Sequence, residues 1–348
     1  MDIKKYFEHA LKRHASDLHL VSGNPPTLRI DGELVVLDKN LLDPAELEPA
    51  IFSLMTAKDI EVFKNEKGLD FAAQLGGGHF RVNVHQQENQ IGLAARVIPE
   101  VIPSAKDIYF DETIYKISHL NQGLIIVTGP SGCGKSTTLA VLLNLINQER
   151  KAHIITIEDP IEFIFHEDQS IIEQRELGRD TRSFSEALKQ ALRQDPNVIM
   201  VGEMRDLDTI ASTLTAAETG HLVLSTLHTN AAAETIERIV DMFPTHRQRQ
   251  ILLQLASVLR VVICQQMLPK KGGGVIVARE IMINTPAIAN LIRESKMAHI
   301  PAAMQTGRSE GMITMRSCLK RLYEEGLIEK QVYLNRTTGS DGTLSTYY

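Results

Sequence analysis

The chain has no tryptophan, three cysteines and 5% aromatic residues across 348 positions. Cys133, Cys264 and Cys318 lie far apart and form no C-x-x-C pair. That excludes a structural zinc site and points to free thiols in a reducing compartment. Long apolar runs are missing too. The greasiest, from Val258 to Cys264 and from Leu124 to Thr128, are far too short to span a bilayer. The opening MDIKKYFEHALKRH is polar every few residues, so it does not read as a signal peptide. Nor is there an excess of positive charge: the formal net charge is −6. Together with the scarcity of aromatics, this argues against nucleic acid as a partner. What remains is an ordinary soluble composition, 43% hydrophobic and 23% charged. It suffices for packed cores in two domains and a small third module.

Hydrophobic spacing organises the chain. Ile3, Tyr6, Phe7, Ala10 and Leu11 recur at helical intervals. SDLHLVSG and PPTLRIDGELVVL read as short strands, the second folded at Asp31-Gly32. Two helical stretches are expected over 44–55 and 57–66, then strands in LDFAAQL, GHFRVNVHQ and IGLAARVIP, with Gly76-Gly77-Gly78 at the first turn. This pattern predicts an α+β N-terminal domain over 1–98. Pro99 and Pro103 bracket an expected linker, 99–121. From 122 to 285 apolar strands alternate with helices, which predicts an α/β core with a mostly parallel sheet covered on both faces. After the strand HLVLSTL the expectation is further helices, with a C-terminal helical region over 286–336 and a disordered tail over 337–348.

The chemistry starts at GPSGCGKS, Gly129 to Ser136, a full G-x-x-x-x-G-K-[ST] match that follows an apolar strand and opens a helix. The loop Gly129, Pro130, Ser131, Gly132, Cys133, Gly134, with Lys135, Ser136 and Thr137, is expected to bind a nucleoside triphosphate. Lys135 would reach the β/γ-phosphates and Ser136 would hold Mg²⁺. Cys133, near a helix N-terminus, is either a low-pKa redox thiol or a small residue tolerated with its side chain turned away. A strand expected beside the P-loop strand, NVIMVGE, ends in Glu203, placed to orient or deprotonate the attacking water. HIITIED ends in Glu158 and Asp159, with Glu162 close behind. Spacing alone does not say which of these three carboxylates helps hold Mg²⁺ or the water. In TGHLVLSTLHTN, His228 falls just past a strand's carboxyl end, where it could touch the γ-phosphate. His221 falls at the opposite end, where capping, packing or a neighbouring subunit would have to explain it.

Four stretches taken together, GPSGCGKSTT, ITIEDPIEF, RQDPNVIMVGEMRD and TGHLVLSTLHTN, resemble the Walker A, Asp box, Walker B and His box of the secretion-superfamily ATPases. Within that superfamily the chain is most similar to the PilT-type retraction ATPases of type IV pili, over nearly its whole length. ASDLHLVSGNPPTLRIDG looks like their N-terminal signature and INTPAIANLIRES like a C-terminal motif of retraction motors. The resemblance implies a homohexameric ring of units with a PAS-like N-terminal domain and a RecA-like ATPase domain, using ATP and Mg²⁺. It implies catalytic roles for Glu203, Glu158, Glu162 and His228, and places Arg81 and Arg96 over the nucleotide; read on their own, both arginines are plain strand residues. It further implies an inner-membrane platform protein as partner and a cytoplasmic ring docked at the membrane's inner face, driving twitching motility. Two departures stand out: Gln87-Glu88-Asn89-Gln90 where the family often has a further arginine, and Ala289 where it commonly reads AIRNLIRE. The competing readings are an extension or type II secretion ATPase, an accessory retraction paralogue, a nucleic-acid-translocating ring motor and a non-hydrolysing regulator. Extension relatives usually carry a longer N-terminal region and a paired-cysteine zinc insert, neither of which is found here. Glu203 argues against the regulator.

Overall fold

The structure is a computed structural model that describes residues 1–30, 32–99 and 101–337. Asp31 of the expected hairpin turn and positions 338–348 of the expected tail lie outside the described residues; Thr337 ends the last helix. The chain divides into two compact units, 1–101 together with 160–165, and the rest.

The first unit runs α1 (Lys4–Lys12), β1 (Asp17–Val21), β2 (Thr27–Ile30), β3 (Glu33–Val36), α2 (Pro44–Phe52), α3 (Ala57–Glu66), β4 (Gly68–Leu75), β5 (Gly78–Gln87) and β6 (Gln90–Ile98). Its sheet has the order β3-β2-β1-β6-β5-β4, with every neighbour antiparallel. Strand alternation sends Phe80, Val82 and Val84 inward with Leu18 and Leu20. Phe7 of α1 meets Phe80 edge-on at 4.9 Å. Gly76 and Gly77 turn β4 into β5 at φ 59° and 88°, as a two-residue hairpin requires. The position where the family often has an arginine is an equally tight turn, with Glu88 and Asn89 at φ 48° and 61°.

The second unit begins with α4 (Glu112–Ser118), then β7 (Gly123–Thr128), α5 (Lys135–Glu149), β8 (His153–Glu158), β9 (Ile171–Glu176), α6 (Phe184–Ala191), β10 (Val198–Val201), α7 (Leu207–Glu218), β11 (Leu222–Leu227), α8 (Ala232–Asp241), α9 (Thr245–Val258), β12 (Leu259–Pro269) and β13 (Val275–Ile283). It closes with α10 (Pro286–Arg293), α11 (Ile300–Thr306), α12 (Met315–Glu324) and α13 (Lys330–Thr337). The seven-stranded sheet is ordered β13-β12-β7-β11-β10-β8-β9. Only β13 runs antiparallel to its neighbour. No described helix is long and apolar enough to cross a membrane.

Three sequence expectations need correcting. Residues 102–121 are a folded part of the second unit rather than a linker. Asp111 caps α4 by accepting from the Ile114 N–H, and Ile114 and Ile117 are buried. The stretch after β11 is not all helical, because β12 and β13 form a long hairpin at the sheet edge. Finally, the strand bearing Glu203 is not beside the P-loop strand: β11 lies between β7 and β10.

Candidate active site

The phosphate loop grows out of β7, whose residues are all buried. Past Thr128 the backbone bends through Gly129, Gly132 and Gly134 at φ 144°, 76° and 88°, conformations that a side chain would strain. Gly129 is constrained twice over, since a Cβ there would stand 2.4 Å from the Gln265 carbonyl oxygen and 2.7 Å from the Cys133 sulfur. Pro130 accepts from the Cys133 N–H at 3.3 Å, with Ser131 and Gly132 between them. The chain then enters α5 at Lys135, with Ser136 and Thr137 in its first turn. The first N–H groups of a helix have no acceptor within it, so loop and helix end together make an anion nest.

Lys135 Nζ donates to the carbonyls of Gly129 (2.9 Å) and Pro130 (3.1 Å) and to His228 Nδ1 (3.4 Å). An ammonium can only donate, so Nδ1 accepts and the imidazole proton sits on Nε2. That N–H is then available to Glu203 Oε2, 3.2 Å away. Burial, and secondarily the charges of Lys135 and Arg205, hold the His228 pKa below its ordinary 6.5. The neutral tautomer is therefore the one the site favours. Glu203 also pairs with Arg205, which reaches Asp159 at 3.4 Å. A polar chain thus runs Lys135–His228–Glu203–Arg205–Asp159 across the carboxyl ends of β7, β11, β10 and β8.

Hydrogen bonds between strand ends hold that chain in place. The Thr229 N–H donates to Thr128 Oγ1 at 2.8 Å, which ties the segment after β11 to the base of the loop. Thr226 Oγ1 donates to the Gly202 carbonyl at 2.6 Å, and the Met204 N–H to the Thr226 carbonyl at 3.2 Å. Asp206 caps α7 through the Thr209 N–H at 2.8 Å. These threonines and Arg205 escaped the sequence reading. Asp206 directly before a helical pattern was a legible cap signal; nothing in the spacing singled out Thr128.

The remaining candidates separate into groups. Glu158 is 5% exposed and accepts from Thr156 Oγ1 (2.7 Å) and Gln174 Nε2 (3.2 Å). Glu162 belongs to the segment grouped with the first unit, as do Arg81 and Arg96. Those two arginines stand directly opposite each other on β5 and β6, and Arg96 also pairs across with Asp17. Arg96 Nε donates to Asp17 at 2.8 Å, while Arg81 lies 3.9 Å from Asp70. Burial raises the Asp17 pKa, but hydrogen bonds from Arg96 and Ser16 more than offset this and leave it lowered. His221 is a cap: its Nδ1 lies 3.0 Å from the Ala216 carbonyl at the end of α7. Cys133 is 2% exposed, and burial pushes its thiol pKa up. That is the reverse of a redox-sensitive cysteine.

A mostly parallel sheet, a glycine-rich loop leading into a helix and a carboxylate beyond the strand ends define a P-loop ATPase. The profile of the family described as Type II/IV secretion system protein matches residues 1–310, and the chain belongs to that family. It is 45% identical over 332 residues to the Pseudomonas aeruginosa protein described as type IV pilus retractation ATPase PilT, covering 95% of this chain and 96% of that one. It is 41% identical over 318 residues to a twitching motility protein of Neisseria gonorrhoeae, covering 91% and 85%. Among solved structures, that of the pilus retraction motor PilT with bound ADP superposes with a TM-score of 0.90 at 43% identity, covering 96% of both chains.

Proposed function

We propose that this chain is the ATP-hydrolysing subunit of a hexameric ring motor that powers type IV pilus retraction. The observation that carries the reading is the hydrogen-bonded line from Lys135 through His228 to Glu203. It joins the phosphate loop to a carboxylate through a neutral imidazole. The retraction assignment is supported by relatives that match nearly the whole chain.

In this reading the loop N–H groups and Lys135 hold the β- and γ-phosphates. Glu203 orients the attacking water, and His228 reports the γ-phosphate to Glu203. Charge developing on the transferring phosphoryl group is met by Lys135 and by arginines delivered from the N-terminal unit, Arg81 and Arg96. Among the described residues no group of three or more His, Cys, Asp or Glu side chains could hold a metal. Magnesium in such sites needs few protein ligands, and the Ser136 hydroxyl in the first turn of α5 suits it; the ion would neutralise phosphate charge there. Glu158 and Glu162 serve as supporting carboxylates. The ring would act on an inner-membrane platform protein and dock at the cytoplasmic face of that membrane.

Glu203→Gln tests the core of the proposal. Turnover should fall by about 10²–10⁴-fold while ATP binding persists; native turnover in the variant would sink the assignment. In cells, deleting the gene should leave many non-retracting pili and no surface motility. Bald cells would instead indicate an extension motor.

A further inference from the structure

The segment that carries His228 from β11 into α8 belongs to no strand or helix between Leu227 and Ala232, so anchors from neighbouring elements must hold it. Three elements supply them. The Thr229 N–H donates to Thr128 Oγ1 at the end of β7. The Asn230 N–H donates to Glu234 Oε2 of α8 at 3.1 Å. The Ala232 N–H donates to Glu280 Oε1 of β13 at 3.0 Å. Side chains add to this: Thr229 Oγ1 and Thr235 Oγ1 lie 2.7 Å apart, and Thr235, fully buried, donates to the Ala231 carbonyl at 2.9 Å. Glu280 reaches further still. Its second oxygen, Oε2, accepts from the Met315 N–H at 3.2 Å.

Both of the N–H groups that Glu280 meets stand at helix starts. Ala232 opens α8, whose N-cap, Ala231, has no side chain able to accept. Met315 opens α12. The first N–H groups of a helix have no partner within it and carry partial positive charge, so one carboxylate between two helix starts answers both. Directly across the β12–β13 ladder stands Cys264, fully buried. Burial pushes its thiol pKa up, so the thiol keeps its proton and donates to the Glu280 carboxylate. The Thr235 hydroxyl also meets that thiol, which closes a path back to Thr229. Burial raises the Glu280 pKa, and the two N–H groups and the thiol offset only part of the rise. An acid whose pKa is raised by folding resists ionisation in the fold, so at neutral pH its charge works against stability. Stability alone therefore does not account for a carboxylate at this place.

We propose that Glu280 is a positioning residue for hydrolysis: by fixing the start of α8 it holds His228 between Lys135 and Glu203. The two bonds of His228, at 3.4 and 3.2 Å, are already long, so little drift is needed to break them. With Glu280 lost, the first turn of α8 can shift, and an ångström-scale misplacement costs up to about 10²-fold in rate. The anion nest is built from other residues, so nucleotide affinity does not depend on Glu280. Because the same carboxylate holds α12, the C-terminal helices are tied to the point where His228 leaves its strand. The inference rests on the ATPase reading of the site and adds to it a residue that acts through another.

The test is a double-mutant cycle in the full-length chain, read by phosphate release at saturating ATP and by calorimetric titration with ADP. Glu280→Gln keeps the shape of the side chain but offers a single acceptor oxygen to two helix starts. It should lower kcat about tenfold or more and leave ADP affinity unchanged. Added to His228→Asn, it should slow turnover no further. That last result separates positioning from bulk stability, because a residue acting through His228 then has nothing left to act on. Native turnover in Glu280→Gln overturns the proposal. So do losses that multiply in the double variant, or an ADP affinity that falls together with kcat, since either shows a general structural effect. Should Glu280→Gln not fold, Glu280→Asp takes its place: the shortened carboxylate reaches less far toward the two helix starts, and the same non-additivity is required. Native turnover in His228→Asn alone refutes the hydrolytic role of His228, and the proposal falls with it.

Discussion

Replacing His228 separates catalysis from stability. Its side chain is 52% exposed and contributes one acceptor and one donor, at 3.4 and 3.2 Å. Half-exposed hydrogen bonds of this kind are worth about 1 kcal/mol in total, a fall of about 1–2 °C in melting temperature for a chain of this size. Turnover has more at stake. His228→Ala removes the imidazole that positions Glu203 and can donate to the γ-phosphate, and deleting one such group costs about 10²–10³-fold in kcat. The assay is phosphate release at saturating ATP, beside a thermal melt. The pH profile adds a second reading, since kcat/KM reports groups of the free enzyme. Protonating His228 removes the Nδ1 acceptor and sets a third cation beside Lys135 and Arg205. Burial and those two charges depress its pKa below 6.5, so the working neutral form persists as pH falls through 6.5 and is lost only lower. The acid limb of kcat/KM should therefore lie below 6.5 in the native protein, and the His228 contribution to it should vanish in His228→Asn. Turnover in His228→Ala within threefold of native, or an acid limb from His228 above 6.5, would refute the reasoning.

Three other outcomes follow from the same geometry. Gly129→Ala pushes a methyl against the Gln265 carbonyl and the Cys133 sulfur; overpacking of this kind costs about 1–3 kcal/mol, and nucleotide binding should drop with it, whereas an unchanged melt and affinity would contradict the loop geometry. Asp206→Ala removes the α7 cap and should cost about 1 kcal/mol of stability, seen as a lower denaturant midpoint. Cys133, buried with a raised thiol pKa, should resist iodoacetamide at pH 8 in the folded chain; labelling at the rate of a free thiol, followed by mass spectrometry, would show the loop to be open.

How much of this could be read from residues depended on whether the signal was local. Gly129, Gly134 and Lys135 announce themselves because loop, lysine and helix are contiguous. The first unit was legible strand by strand, since its hairpins pair neighbours in sequence and its turns, the Glu88-Asn89 turn excepted, carry glycine. Strand order in the second unit was not, because parallel pairing leaves no trace in any one strand. Glu203 was therefore expected one strand too close, although His228 closes the gap. β9 escaped because IIEQRE is largely polar on a sheet edge. β12 follows α9 directly, and its apolar half alone reads equally well as buried helix. His221 and His228, similar in sequence setting, diverge because one meets the end of α7 and the other the phosphate loop.

The stitches from Thr128 to Thr229 and from Thr226 to Gly202 also have a genetic consequence. Side chains alternate along β11, so losing a single residue within it would carry His228 to the wrong side of the sheet and unhook both threonines at once. Conservative swaps in the buried interior of β11 would alter only packing. The locus should therefore forgive a changed letter in that stretch far more readily than a missing one, and a library of in-frame single-codon deletions scored for motility would map the reading frame of the motor.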